Sequence, residues 1–183
     1  NKQDKAISQN LPNSKSMRIV LDWPKTDPET GDDLDSHLQI PDNSSGLFHL
    51  HWNVDTGGSG DGQDYYQYSA NDNVTLDRDD KLGPPGTETI TIITVRDGPY
   101  SYSVHDYTNA DNASSTKLSR SLAYVTVYLG EDLPGSDEAK EGKRYDSIPS
   151  EAGNLWRVFT YTKSGGLNEV KTMTYEDTYT DVY

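Results

Sequence analysis

Short segments that alternate apolar and polar residues recur along this chain, separated by turns rich in glycine, proline, asparagine and aspartate. Such alternation places one set of side chains in a core and the other on the opposite face of a strand. Residues 88–95 are a nearly continuous run of threonine, isoleucine and valine, which predicts a strand buried on both faces. Roughly seven or more strands with little helix predict an all-β fold, an antiparallel β-sandwich of jelly-roll or immunoglobulin-like type with long loops.

The 183 residues suffice for one domain of ordinary size. We expect the β-sandwich domain to span residues 17–173. Residues 1–16 form a polar N-terminal arm, and residues 174–183 form a C-terminal tail in which threonine and acidic residues alternate with tyrosine. Both terminal segments are candidates for strands donated to a neighbouring subunit, and the alternative is that they are frayed ends.

The composition excludes several classes of partner. Asp and Glu number 30 against 16 Lys and Arg, so the net charge of −14 argues against nucleic acid and anionic membrane surfaces. No apolar run is long enough for membrane insertion, and without cysteine there is no disulfide framework. The start at Asn1 and the glycosylation sequons at Asn43, Asn73 and Asn112 suit a secreted chain, so we expect an extracellular or cell-surface location.

Two acidic runs, one at residues 32–35 and one at residues 77–80, point to a hard cation. Carboxylates brought close together repel one another unless a cation neutralises them, and calcium accepts oxygen ligands from separate loops. The alternative is that these acids only form turns and strand ends. The predicted calcium ligands are Asp33, Asp35, Asp77, Asp79, Asp80 and Glu88.

The histidines give an alternative metal site. On a strand, His37 shares a face with Asp33 and Asp35, and imidazole combined with carboxylate favours zinc over calcium. The alternative cofactor is therefore zinc, bound through His37, His49 and His105. The simpler interpretation is that each histidine is a hydrogen-bonding residue of a strand.

Catalytic motifs are missing from the sequence. It contains no cysteine nucleophile, no Gly-x-Ser-x-Gly or His-Glu-x-x-His motif and no phosphate-binding glycine-rich loop. We therefore predict that the protein is not an enzyme, and we assign no catalytic residues. Aromatic side chains at Trp52, Tyr65, Tyr66 and Tyr68 are candidates for stacking on sugar rings, and the simpler interpretation is that Trp52 belongs to the core and the tyrosines cover a sheet face.

Several motifs resemble the YfaP-like bacterial extracellular domain of unknown function, over approximately residues 17–173. They are Leu21-Asp22-Trp23, Asp33-Leu34-Asp35-Ser36-His37-Leu38, Gly46-Leu47-Phe48-His49, Leu76-Asp77-Arg78-Asp79-Asp80, Gly86-Thr87-Glu88-Thr89-Ile90, Tyr100 to Tyr107 and Asn154 to Phe159. The resemblance implies an extracellular β fold. It implies no particular activity.

These observations predict a secreted structural subunit of a cell-surface filament or layer. Calcium would stabilise the subunit, and the terminal segments would join copies into a homopolymer. The alternative is a monomeric carbohydrate- or protein-binding module of a surface adhesin, with glycans as partners.

Overall fold

The structure, a computed structural model, describes residues 10–24, 33–52, 65–81 and 85–177. Two antiparallel sheets face each other, which confirms the predicted β-sandwich. The first sheet has the order β4 (Tyr65–Ser69), β5 (Asp72–Arg78), β6 (Gly86–Ile92), β1 (Met17–Trp23), β8 (Tyr124–Leu129) and β9 (Lys143–Tyr145). The second has the order β11 (Gly166–Thr174), β10 (Leu155–Thr162), β7 (Tyr100–Asp106), β2 (Leu34–Pro41) and β3 (Leu47–Leu50).

Helical structure among the described residues is confined to short turns between strands. They are a 3-10 turn at Tyr107–Asn109 and the helices α1 (Lys117–Arg120) and α2 (Ser136–Ala139). No helix among the described residues has the length and apolar character needed to span a membrane.

Large aromatic side chains fill the space between the sheets. Trp23, Trp156, Tyr102 and Phe159 are almost completely buried, and the rings of Tyr102 and Phe159 stack with centroids 5.4 Å apart. Burying each such ring contributes about 1.5–3 kcal/mol. This interior positions β2 and β6, which supply the candidate site from opposite sheets.

Strand β2 shows how local alternation orients the candidate site. Leu34, Leu38 and Ile40 are fully buried in the core, as the apolar half of the pattern requires. Asp35 and His37 occupy the other face, where Asp35 pairs across the ladder with His105 of β7.

Strands β9 and β11 lie at the edges of the two sheets. Strand β9 is short, and β11 is an edge strand that pairs with β10 through a register shift between Arg157 and Phe159. In the sequence of β11, exposed Glu169 and Lys171 separate Leu167 from Met173, which pack against the core, so its strand character is not visible as an alternation.

The predicted donor segments at the termini are described only in part, because residues 1–9 and 178–183 lie outside the described residues. The end of the N-terminal arm is bonded to the same chain: the carbonyls of Ser14 and Ser16 accept hydrogen bonds from the backbone amides of Asp132 and Gly130. Near the other terminus, the amide of Glu176 donates to the side chain of Asn154. Strand exchange between subunits stays a prediction.

Candidate metal centre

Three carboxylates from separate parts of the chain come together at one place. Asp35 comes from β2, Glu88 from β6 in the opposite sheet, and Asp79 from the segment that follows β5. One ligand oxygen of each lies within 4.8 Å of those of the other two. Three negative charges at this separation repel one another strongly when they are buried.

Glu88 is the most completely enclosed of the three, with no exposed surface. Its Oε2 accepts a hydrogen bond of 2.6 Å from the backbone amide of Ser36, which fixes the carboxylate against β2. Its Oε1 is buried and has no hydrogen-bond partner among the described residues. Burial, and then the charge of Asp35, raise the pKa of Glu88 well above its usual value. A buried oxygen without a partner costs about 1–3 kcal/mol, so this atom points to a missing ligand.

Asp35 has similar surroundings and is 3 % exposed. Its Oδ2 is also buried, and no residue that the structure describes forms a hydrogen bond with it. Burial, and then the neighbouring charges of Asp33 and Asp79, raise the pKa of Asp35 to about 8. At neutral pH the Asp35 carboxyl therefore holds a proton when no cation is bound.

Asp33 and Asp79 extend the acidic surroundings toward a cavity. Asp79 forms an ion pair of 3.0 Å with Lys81 through Oδ2, while its Oδ1 and the Oδ1 of Asp33 are buried without partners. Burial, and then the charge of Asp79, raise the pKa of Asp33. The cavity holds about 80 Å³, and its lining includes Asp33, Asp35, Trp52, Lys81 and Tyr107. A space of this size admits an ion with one or two water molecules. We call Asp33, Asp35, Asp79 and Glu88 the carboxylate cluster.

The two remaining acids of the predicted calcium site are used differently. The carboxylate of Asp77 accepts a hydrogen bond from the hydroxyl of Thr91 and is not part of the cluster. Asp80 forms an ion pair of 2.6 Å with Arg78 and also accepts from the amide of Thr87. The structure thus brings ligand atoms of three of the six predicted residues together, places Asp33 at the adjoining cavity, and engages the other two in contacts of their own.

All four histidines of the chain lie together, and we call them the histidine cluster. His37 is central: its ring centroid is 5.0 Å from that of His49, 5.3 Å from His51 and 5.4 Å from His105. The Nδ1 of His37 and the Nε2 of His49 are 2.9 Å apart and share one hydrogen bond. His51 is only 7 % exposed.

The environment keeps these imidazoles neutral. Burial, and then the neighbouring histidines, lower the pKa of His37 well below its usual value. Burial also lowers the pKa of His49 to about 3 and those of His51 and His105 to about 4. A neutral imidazole retains a nitrogen lone pair, which is the form that binds metal ions.

The carboxylate and histidine clusters share one residue. Ligand atoms of Asp35, His37 and His105 lie within 4.8 Å of one another, just as those of Asp35, Asp79 and Glu88 do. Of the predicted zinc ligands, the structure places His37 and His105 beside Asp35, while His49 contacts His37. The association of His105 with Asp35 depends on the pairing of β2 with β7, which the sequence does not show.

The aromatic residues predicted for a sugar-binding surface are packed against other side chains. Trp52 lies 5.4 Å from the ring of Tyr107, and the Lys81 ammonium sits 5.1 Å above it. Tyr68 is buried with its hydroxyl bonded to the carbonyl of Pro41, and Tyr66 packs on Tyr68 with centroids 4.9 Å apart. The adhesin-module alternative stays a prediction.

Two solved structures share this fold over most of their length. One is the crystal structure of a protein of unknown function, SAV2460, with a TM-score of 0.50 and 15% identity, covering 90% of this chain and 91% of that chain. The other is a homologue of the telluride resistance protein TerD, SCO6318 from Streptomyces coelicolor A3(2), with a TM-score of 0.53, 14% identity and the same coverage. At such identities the likeness shows the fold alone. No protein-family model and no curated protein matches the chain.

Proposed function

We propose that this protein is a calcium-stabilised structural β-sandwich in which one bound calcium ion joins the two sheets. The observation that carries the proposal is Glu88, a fully buried carboxylate with an unpartnered Oε1 beside Asp35 of the opposite sheet. Without a cation, the two groups must hold protons or repel each other. With a cation bound to both carboxylates, Glu88 of β6 and Asp35 of β2 would be linked through the ion.

The donor chemistry of the carboxylate cluster favours calcium. Asp35, Asp79 and Glu88 offer only oxygen atoms, which hard cations prefer. Calcium takes about six to eight oxygen ligands in irregular geometry, so water in the adjoining cavity and Asp33 can complete the shell. Magnesium requires near-octahedral geometry and retains its water molecules, which suits a buried site supplied by separate segments less well.

The wider biological role rests on the sequence alone. An extracellular location, a homopolymer and glycan partners stay predictions. The described edge strand β11 carries the exposed charges Glu169 and Lys171, which natural edges use to discourage pairing with another chain. Assembly through this edge would therefore need the terminal segments to add their own contacts.

Calcium should raise the unfolding temperature of protein stripped with EDTA. A ligand that binds only the folded state stabilises it by about 2.7 kcal/mol at a hundred times its dissociation constant, or about 5–10 °C for a chain of this size. Thermal unfolding with added calcium or magnesium measures the effect. The isosteric variant Glu88→Gln should fold but respond weakly. The proposal would be contradicted if calcium left the unfolding temperature of the wild type unchanged, or if it raised that of Glu88→Gln as much as that of the wild type.

Calcium affinity should rise with pH. Because the metal-free carboxyl of Asp35 has a pKa of about 8, calcium must displace its proton at pH 7. Below pH 8, calcium affinity should fall by about tenfold per pH unit for each proton that calcium displaces. Above pH 8, the affinity should no longer depend on pH. Calorimetric titration between about pH 6 and 9 checks this. An affinity that stays constant over this range would show that the Asp35 carboxylate is not a ligand.

A further inference from the structure

We propose that Asp35, His37 and His105 form a second metal site, which binds a zinc-class transition-metal ion next to the carboxylate cluster. Asp35 is the shared ligand, so its two carboxylate oxygens would bridge two ions of different chemistry. This site stands on its own donor atoms and does not require that the carboxylate cluster bind calcium.

The backbone register builds this arrangement. Asp35 and His105 are direct partners in the antiparallel ladder between β2 and β7, and His37 lies two residues along β2 on the same face. Directly paired residues have Cβ atoms about 4.5–5.5 Å apart, which brings their side-chain tips into reach of one ion. Both histidines are 1 % exposed, so bulk water cannot hydrogen-bond to their ring nitrogens.

The ring nitrogens indicate that a ligand belongs here. Within the described part of the chain, neither Nδ1 nor Nε2 of His105 has a hydrogen-bond partner, and Nε2 of His37 has none either. A buried polar atom without a hydrogen bond destabilises the folded state by about 1–3 kcal/mol, so three such nitrogens together would be strongly destabilising unless a ligand binds to them. A metal ion would contact one nitrogen of each ring and one carboxylate oxygen of Asp35 together.

His49 acts as a positioning residue in this arrangement. Its hydrogen bond of 2.9 Å to Nδ1 of His37 fixes the ring and leaves Nε2 as the metal-binding atom. Two imidazoles and one carboxylate are donors that zinc and other divalent transition metals accept, whereas calcium prefers an all-oxygen shell. Three protein ligands also leave a coordination position for water.

Charge balance allows both ions to be present. The carboxylate cluster has four carboxylates, of which Asp35 belongs to both sites, and the Lys81 ammonium pairs with Asp79. Two divalent cations would add four positive charges and the neutral histidines none, so the filled sites with Lys81 would exceed the four carboxylates by one positive charge. The repulsion among the buried carboxylates of the metal-free protein would then be removed.

Cobalt(II) tests the site, because its visible absorption bands report coordination by nitrogen and oxygen. We expect protein stripped with EDTA to bind one cobalt ion per chain with visible bands, and added zinc to remove them. The cobalt bands should be lost in His105→Leu and retained in Glu88→Gln. Stabilisation by calcium should be retained in His105→Leu and lost in Glu88→Gln. Calcium stabilisation in His105→Leu also demonstrates that this variant folds, and His105→Asn serves as a second variant.

The positioning role of His49 has a separate readout. His49→Ala should weaken cobalt binding by about 10–100-fold without moving the bands, because the three ligands are unchanged. Absence of bands in the wild-type protein, or bands that persist in both His105 variants, would overturn the second site. Either result leaves the calcium response of the wild-type protein, and with it the proposed function, unaffected.

Discussion

Asp35→Asn should abolish the response to calcium and the visible bands of cobalt together. Asp35 is the residue that both groups of ligand atoms share, and its Oδ2 is buried without a partner. At a calcium concentration a hundred times the wild-type dissociation constant, the wild type gains about 2.7 kcal/mol and the variant should gain almost nothing. Thermal unfolding and cobalt absorption on the same samples measure both effects.

The metal-free stability of this variant separates a lost ligand from a damaged fold. Since the pKa of Asp35 is about 8, the wild-type carboxyl is mostly neutral at pH 7, and asparagine replaces it with a neutral group of equal size. In EDTA the two proteins should therefore unfold at similar temperatures. Asp77→Asn is the matched control, because Asp77 bonds to Thr91 apart from the carboxylate cluster. A variant that lost only one response would show that Asp35 is not shared.

Alternation predicted the sandwich because it is a local property. The buried leucines of β2 and the continuous run in β6 identify their strands without any knowledge of neighbours. Strand β11 has no such signal, because the exposed charges Glu169 and Lys171 separate Leu167 from Met173, the two residues that pack against the core.

The acidic part of the candidate site was predictable in composition but not in detail. Asp77 and Asp79 are two residues apart and would share a face of a regular strand. The register of β5 shifts between Leu76 and Arg78, and such a bulge re-aims side chains. Asp77 therefore contacts Thr91, while Asp79 lies beyond the end of the strand and joins Asp35.

The histidine part depends on long-range pairing. His37 and His105 are far apart in sequence, and only the pairing of β2 with β7 places His105 opposite Asp35. The sequence indicated that His37 and Asp35 share a face, which is local. It contained no signal for the contact of His49 with His37 through the ring nitrogens, since this requires the register of β3 as well.

Gly86→Ala should destabilise the protein by about 3 kcal/mol, the upper part of the range for overpacked cores. Gly86 pairs with Trp23 across the ladder of β6 and β1, and a methyl group on Gly86 would overlap the indole ring. Trp23 is 2 % exposed and enclosed in the core, so it cannot move aside freely. Chemical denaturation measures the change. Gly165→Ala is the control, because its added methyl would meet only the Thr162 hydroxyl at 3.0 Å.

The same substitution tests how β6 holds Glu88, which lies two residues further along the strand. Displacing the start of β6 should also weaken calcium binding, because the Glu88 carboxylate must reach the amide of Ser36 and the cation together. Trp23→Leu removes the overlapping ring, so the double variant should be more stable than the sum of the two single effects predicts. A coupling of about 1–2 kcal/mol in that direction would assign the damage to this contact. If the two changes in unfolding free energy simply added, the destabilisation by the methyl group would come from contacts of β6 other than that with Trp23.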